Sequence, residues 1–229
     1  MVARRLRGEP LQYVLGRWGF RTLDLMVDRR VLIPRPETEG VVDHALTELD
    51  RLPPAQARVV VDLGTGSGAI ALAIAAERAD VTVWAADRSS DALAVARANL
   101  AGLGGRAAPR VRLVEGDWYE ALPAELTGTV DVIVANPPYV GSSDALPPVV
   151  ADWEPVEALV PGPTGLEALR VIVAGAGRWL LSPGALVVEI GETQAGVALE
   201  LAQAAGLVSA VVHPDLGGRP RTLVARKES

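Results

Sequence analysis

Val59-Val60-Val61-Asp62-Leu63-Gly64-Thr65-Gly66-Ser67-Gly68 decides how this chain folds. The valines make a short apolar strand, the glycines make a turn, and the Ala-, Ile- and Leu-rich run from Ala69 to Arg78 makes a helix. Glycines allow a tight turn and let a ligand approach the backbone. A nicotinamide fingerprint would read G-x-G-x-x-G, with a pyrophosphate on the helix end. Here the third Gly falls one position early, Ala69 follows it, and there is no P-loop Lys. An acid leading a D-x-G-x-G-x-G loop suits a nucleoside ligand without phosphates.

Strand, loop and helix alternate on the carboxyl side of this stretch. Val81 to Ala86 is the next strand, and Ser89 or Ser90 caps a helix running to about Leu100. Val111 to Val114 and Val130 to Ala135 are further strands. Thr164-Gly165-Leu166-Glu167 has capping-box spacing and opens a helix to about Leu181. Leu186 to Ile190, a helix around 194–205, Leu207 to Val212 and Thr222 to Ala225 complete the pattern. Such alternation predicts an α/β, doubly wound, mostly parallel sheet with helices on both faces. The least regular stretch, 140–163, carries Pro147, Pro148, Pro155, Pro161 and Pro163, and reads as a long functional loop.

On the amino side, residues 1–15 read as the tail of a helix. Alternation at Leu23, Leu25 and Val27, with Trp18 and Phe20 before them, predicts a hairpin. Pro36 and the acids Glu37 and Glu39 suit the start of a helix. Val41, Val42, Ala45, Leu46 and Leu49 then repeat at helical spacing, so 36–51 is an amphipathic helix that Pro53-Pro54 stops. The expected organisation is an N-terminal portion, 1–35, carrying the hairpin, and a catalytic domain over 36–229.

Bulk properties narrow the classes. A length of 229 fits one large domain, and 49% apolar residues supply a core. The net charge of −6 weighs against a broad basic surface for nucleic acid. No cysteine is present, so there is neither a disulfide framework nor a thiolate metal site, as befits the cytoplasm. His44 and His213 lie far apart in sequence, and no metal site is expected. Met1 to Arg7 is basic without an apolar segment after it, so it is not a signal peptide, and no apolar run reaches the ~20 residues of a membrane span.

Three consecutive strands each end in a group suited to one part of a nucleoside. The first ends in the glycine loop. Asp87, 25 positions after Asp62, can accept both ribose hydroxyl protons. Gly116-Asp117-Trp118 can flank a flat adenine, Asp117 accepting from its amino group and Trp118 stacking on it. The fourth strand ends in Asn136-Pro137-Pro138-Tyr139. Two prolines cannot continue a central sheet, so the chain turns out at its carboxyl end, where open α/β sheets bind ligands. The Asn136 side-chain oxygen and the Pro137 carbonyl can accept the two N–H bonds of a planar NH2 group, and Tyr139 can lie against its flat face. A protein amide and an exocyclic base nitrogen both present such a group.

These residues resemble class I S-adenosylmethionine-dependent methyltransferases. More narrowly, they are similar to the family that methylates the glutamine side-chain nitrogen in the Gly-Gly-Gln motif of peptide-chain release factors. The resemblance runs through Gly8-Glu9-Pro10-Leu11-Gln12-Tyr13-Val14-Leu15-Gly16 and Leu32-Ile33-Pro34-Arg35-Pro36-Glu37-Thr38-Glu39. It continues through Asp62 to Gly68, Asp117-Trp118, Asn136 to Tyr139, Trp153-Glu154-Pro155 and Gly218-Arg219, nearly the whole chain. It implies a Rossmann-like, seven-stranded sheet with the last strand antiparallel. It implies that Asp62, Leu63, Gly64, Thr65, Gly66, Asp87, Asp117, Trp118 and Asn136 touch S-adenosyl-L-methionine. It also implies that Asn136, Pro137, Pro138 and Tyr139 hold the target amide, with no metal taking part and a release factor as protein substrate. Arg35 and Glu37 either order the pocket rim or start the helix. Family members carry a helical domain before the Gly-x-Pro-x-Gln-Tyr segment. Here seven residues precede Gly8, which implies a shortened member or a catalytic fragment. Two other functions share the four-residue site: methylation of a base nitrogen in DNA or RNA, and binding of S-adenosylmethionine without transfer.

Overall fold

Both faces of the central strands are buried, and their near-continuous Val, Ile and Leu content follows from that. A computed structural model gives the structure of the protein and describes residues 1–105 and 107–228. Two short helices, α1 (Val2–Leu6) and α2 (Leu11–Leu15), precede a hairpin of β1 (Arg17–Phe20) and β2 (Leu23–Met26). A 3-10 turn at Pro36–Thr38 leads into α3 (Glu39–Arg51). Then come β3 (Arg58–Leu63), α4 (Ala69–Glu77), β4 (Val81–Asp87), α5 (Ser90–Leu103), β5 (Val111–Glu115) and β6 (Val130–Ala135). A short α6 (Pro148–Ala151) lies in the long loop, followed by α7 (Glu167–Trp179), β7 (Leu180–Glu189), α8 (Ala195–Ala204), β8 (Val208–Pro214) and β9 (Pro220–Lys227).

The seven-stranded sheet runs in the order β5-β4-β3-β6-β7-β9-β8. Pairings from β5 through β7 are parallel, while β9 runs antiparallel to both of its neighbours. The order reverses between β3 and β6. That switch point opens a crevice at the carboxyl ends of the strands. Alternate residues serve opposite layers. Val60, Val83, Val132 and Val134 pack with α3 and α4, while Val61, Ile133, Leu186 and Val188 pack with α7 and α8. Helix α4 is apolar on every side because Ala69 to Ala75 are all buried. The hairpin docks through Phe20 and Leu25. It also docks through buried Asn99, which accepts from the Met26 N–H and donates to the carbonyls of Met26 and Ser67.

Several expected boundaries shift. Residues 1–15 form two short helices in place of one helical tail. Helix α7 opens at Glu167, not at Thr164, and ends at Trp179. Gly165 has a φ of +74°, so the chain cannot enter the helix at Thr164. The Thr164 N–H still donates to Glu167 Oε1 at 2.9 Å, one half of the expected capping box. Strand β7 begins six residues before the expected Leu186. Its pairing with β6 shifts register between Val130 and Val132, and the Ser182-Pro183-Gly184 segment sits at that irregularity.

Candidate active site

The turn after β3 is fixed by its neighbour strand. The N–H groups of Gly64 and Thr65 both donate to the Ala86 carbonyl on β4, each at 2.9 Å. Gly64 has a φ of +74°, and a Cβ there would stand 3.3 Å from the Trp118 ring. A side chain at this position would therefore both strain the backbone and push the indole off the loop. Beneath the loop, Asp62 is fully buried. Its Oδ2 accepts from Thr65 Oγ1 at 2.6 Å and from the Ala71 N–H at 3.2 Å, while Oδ1 has no hydrogen-bond partner among the described residues. Burial pushes this carboxyl up to about 7. Asp87 closes the loop from β4: Oδ2 accepts from the Gly66 N–H at 2.8 Å and Oδ1 from the Ser89 N–H at 2.9 Å. Burial raises its pKa as well. Each Asp87 oxygen keeps a second lone pair for a ligand hydroxyl.

The strand ends meet in one cleft enclosing about 1280 Å³ of space counted out to its mouth. Gly64, Thr65, Gly66, Asp87, Asp117, Trp118, Asn136 and Pro138 line it. Arg30 to Leu32 and Pro34 form one rim, and Pro155, Glu157, Ala158 and Pro161 of the long loop form another. Asp62 and Leu63 do not line the cleft; both are wholly buried behind its wall. Pro137 is buried, and Tyr139 also stands outside the lining, its hydroxyl directed at Glu189 at 3.4 Å.

Asn136 is held from behind. Its Nδ2 donates to Thr38 Oγ1 at 3.0 Å, and Thr38 Oγ1 donates to Glu189 Oε2 at 2.7 Å. Among the described residues, Asn136 Oδ1 has no hydrogen-bond partner, and Asn136 lines the cleft. Burial pushes the Glu189 carboxyl up to about 7, and Tyr139 is raised to about 12 by burial and by the nearby Glu189. The Tyr139 carbonyl accepts from Gln194 Nε2 at 3.1 Å. The same Gln194 nitrogen donates to the Gly165 carbonyl at 3.0 Å, so three segments share one amide.

The rim is tied by the two segments the resemblance singled out. Glu154 is buried; its Oε1 pairs with Arg35 Nη2 at 2.5 Å and its Oε2 accepts from the Ile33 N–H at 3.1 Å. Arg35 therefore anchors the rim through Glu154, while Glu37 meets Arg219 at 3.2 Å on the surface. Tyr13 donates to the Val31 carbonyl at 2.6 Å, which fastens the Gln-Tyr segment to the same rim.

The sequence motif contains Thr38 without marking its contact with Asn136, and no motif of the sequence includes Glu189 or Gln194. The signal available for Glu189 is a carboxylate at the end of the apolar run Leu186-Val187-Val188. His44 and His213, far apart in sequence, stack with ring centroids 4.2 Å apart. Among the described residues no group of three His, Asp or Glu side chains is placed to hold a metal.

Comparison with known proteins identifies the family. The methyltransferase small domain family matches residues 40–152. A release factor glutamine methyltransferase of Xylella fastidiosa (strain 9a5c) is 46% identical over 227 residues, 99% of this chain and 79% of that protein. One of Streptomyces coelicolor is 42% identical over 230 residues, 99% of this chain and 79% of that protein. A methyltransferase of Pyrococcus furiosus shares the fold, with a TM-score of 0.63, 19% identity and coverage of 100% of this chain and 98% of that one. The release factor-specific protein-(glutamine-N5) methyltransferase of Alicyclobacillus acidocaldarius superposes with a TM-score of 0.50 at 27% identity, covering 86% of this chain and 95% of that one. Identity at this level along nearly the whole sequence means that the chain belongs to the release factor glutamine methyltransferase family.

Proposed function

We propose that this protein methylates the side-chain amide nitrogen of the glutamine in the Gly-Gly-Gln motif of a peptide-chain release factor, using S-adenosylmethionine. The observation that carries the reading is Asn136: it lines the cleft beside the glycine loop, its NH2 is engaged by Thr38, and its oxygen has no partner among the described residues.

The cleft suits a cationic nucleoside. Asp87, Asp117, Glu157 and Glu167 line it against the two arginines Arg30 and Arg88, so the balance of its walls favours a sulfonium charge. In this reading Asp87 accepts from the ribose hydroxyls, Asp117 accepts from the adenine amino group, and Trp118 covers the base. The backbone of Gly64 to Gly66 lets the ligand approach closely. When bound, S-adenosylmethionine would supply the methyl group, whose carbon would pass from sulfur to the amide nitrogen as the nitrogen gives up a proton to water.

An amide nitrogen is a poor nucleophile because its lone pair is delocalised into the carbonyl. In this reading Asn136 Oδ1 accepts one of its N–H bonds and the carbonyl of Pro137, a residue buried beside the cleft lining, accepts the other; together they aim the nitrogen and favour the positive charge growing on it. Positioning of this kind accounts for ~7–11 kcal/mol of a barrier. No side chain is needed as a base before attack. The shared glutamine-directed name of the relatives weighs against a base nitrogen as the target. Work on a release factor places the protein in the cytoplasm. Among the described residues no helix is long and apolar enough to cross a membrane.

The test is mass spectrometry of a purified release factor after incubation with this protein and S-adenosylmethionine. One added methyl on the Gly-Gly-Gln glutamine is expected. An unmodified release factor alongside methylated DNA, rRNA or tRNA would overturn the reading.

A further inference from the structure

We infer that Thr38 and Glu189 are positioning residues: the buried Glu189 carboxylate orients the Thr38 hydroxyl, and the hydroxyl dictates which way the Asn136 amide faces. The inference rests on the proposed role of Asn136 and extends it to two side chains that act through Asn136.

The three residues come from separate segments, the 3-10 turn before α3, the end of β6 and the end of β7. Their chain of hydrogen bonds, 3.0 Å and then 2.7 Å, is therefore built by the fold and not by a local turn. Thr38 borders the cleft but is only 3% exposed, and Glu189 is 1% exposed, so the bond between them is shielded from water. A hydroxyl owns one proton, and an ionised carboxylate can only accept. With its proton committed to Glu189, Thr38 can offer Asn136 nothing but a lone pair. Asn136 must then present its NH2 to Thr38 and its oxygen to the cleft. The reversed amide would set two oxygens against each other and turn NH2 toward the target nitrogen, which needs an acceptor there.

The direction of this chain depends on the charge of Glu189. Thr38 and Glu37 face it from the 3-10 turn, Tyr139 from the segment after β6, and Arg221 from β9, where Asp215 lies 3.8 Å from the Arg221 guanidinium. Burial and Glu37 raise its pKa; Thr38, Arg221 and Tyr139 lower it, and the balance stands at about 7. As pH falls through that value Glu189 gains a proton and can donate to Thr38. The hydroxyl is then free to donate to Asn136, and the reversed amide becomes accessible. Activity is expected to fall on the acid side of neutrality. Asp62 also stands at about 7, behind the glycine loop, so the variant at Glu189 is what assigns the effect.

The experiment measures kcat and KM for a release factor with wild type, Thr38→Val, Thr38→Ser and Glu189→Gln, with melting temperature as the check on folding. Thr38→Val keeps the shape and loses the hydroxyl, and kcat should fall roughly 10- to 100-fold with a much smaller change in KM. Thr38→Ser restores the hydroxyl and should recover most of that loss. Glu189→Gln cannot titrate, so the acid limb of its kcat profile should disappear. Thr38→Val with wild-type kcat, or Thr38→Ser as poor as Thr38→Val, overturns the inference. If Thr38→Val does not fold, an acid limb unchanged in Glu189→Gln overturns it instead. A wild type that methylates no release factor overturns the functional reading and this inference together. An active wild type beside an equally active, folded Thr38→Val overturns the inference alone.

Discussion

A Cβ on Gly165 would stand 2.5 Å from the carbonyl oxygen of Tyr139. The loop before α7 thus presses backbone on backbone against the turn that carries Asn136, and Gln194 bonds both carbonyls. Gly165 also has a φ of +74°, which an L side chain adopts at a cost. Gly165→Ala should lose about 1–3 kcal/mol of stability from the strained backbone. It should lose activity beyond that, because the clash with the Tyr139 carbonyl displaces the turn that carries Asn136. Thermal melting and kcat, measured below the melting transition, separate the two effects.

Asn136→Ala removes the side-chain acceptor and leaves the glycine loop, Asp87 and Trp118 in place. Losing one preorganised group of this kind costs roughly 10²- to 10³-fold in kcat. Calorimetry should show S-adenosylmethionine binding largely retained. Methylation at near wild-type rate by the folded variant would remove Asn136 from the mechanism.

Much of this site was legible in the sequence because it sits on strand ends. A parallel strand followed by glycines or prolines announces both its own end and the crevice beyond it, and the loops at Gly64, Asp87, Asp117 and Asn136 meet in one cleft as strand order requires. What the sequence hid are groups brought in from the side. Thr38 reads as part of a helix start, and its bond to Asn136 spans 98 positions. Gln194 follows β7 by a few residues, and no periodicity marks it. The expected start of α7 at Thr164 failed for the same reason. A local capping rule yielded to the tertiary contact between Gly165 and Tyr139. Asp62 shows the converse: the spacing places it in the loop motif, but the fold turns it beneath the loop and away from the cleft.

Glu154→Gln tests the rim. The buried carboxylate holds Arg35 and the Ile33 N–H together, and Leu32 and Pro34 line the cleft beside them. Glutamine preserves the shape and can serve one of the two partners but not both as well. A loss of about 1–3 kcal/mol in stability is expected for a buried partner left short of its hydrogen bonds. S-adenosylmethionine affinity should weaken as the rim loosens, while kcat at saturating ligand changes less. Equal losses in both would place Glu154 nearer the chemistry than its position behind the rim allows.

Asp62→Asn gives a stability change with a defined pH sign. Burial lifts the Asp62 carboxyl from its ordinary value of 3.8 to about 7 in the folded protein. Between those values the folded state binds the proton and the unfolded state releases it. Stability contributed by this group is therefore highest below about pH 4 and declines as pH rises toward 7, by at most about 1.4 kcal/mol for each pH unit. Asn cannot titrate, and its oxygen can still accept from Thr65 and Ala71. The difference in stability between wild type and Asp62→Asn should accordingly shrink or reverse as pH rises from 4 to 7. Denaturant titrations of both proteins across that range measure it directly, and a difference that does not vary with pH would show that Asp62 is ionised in the fold throughout.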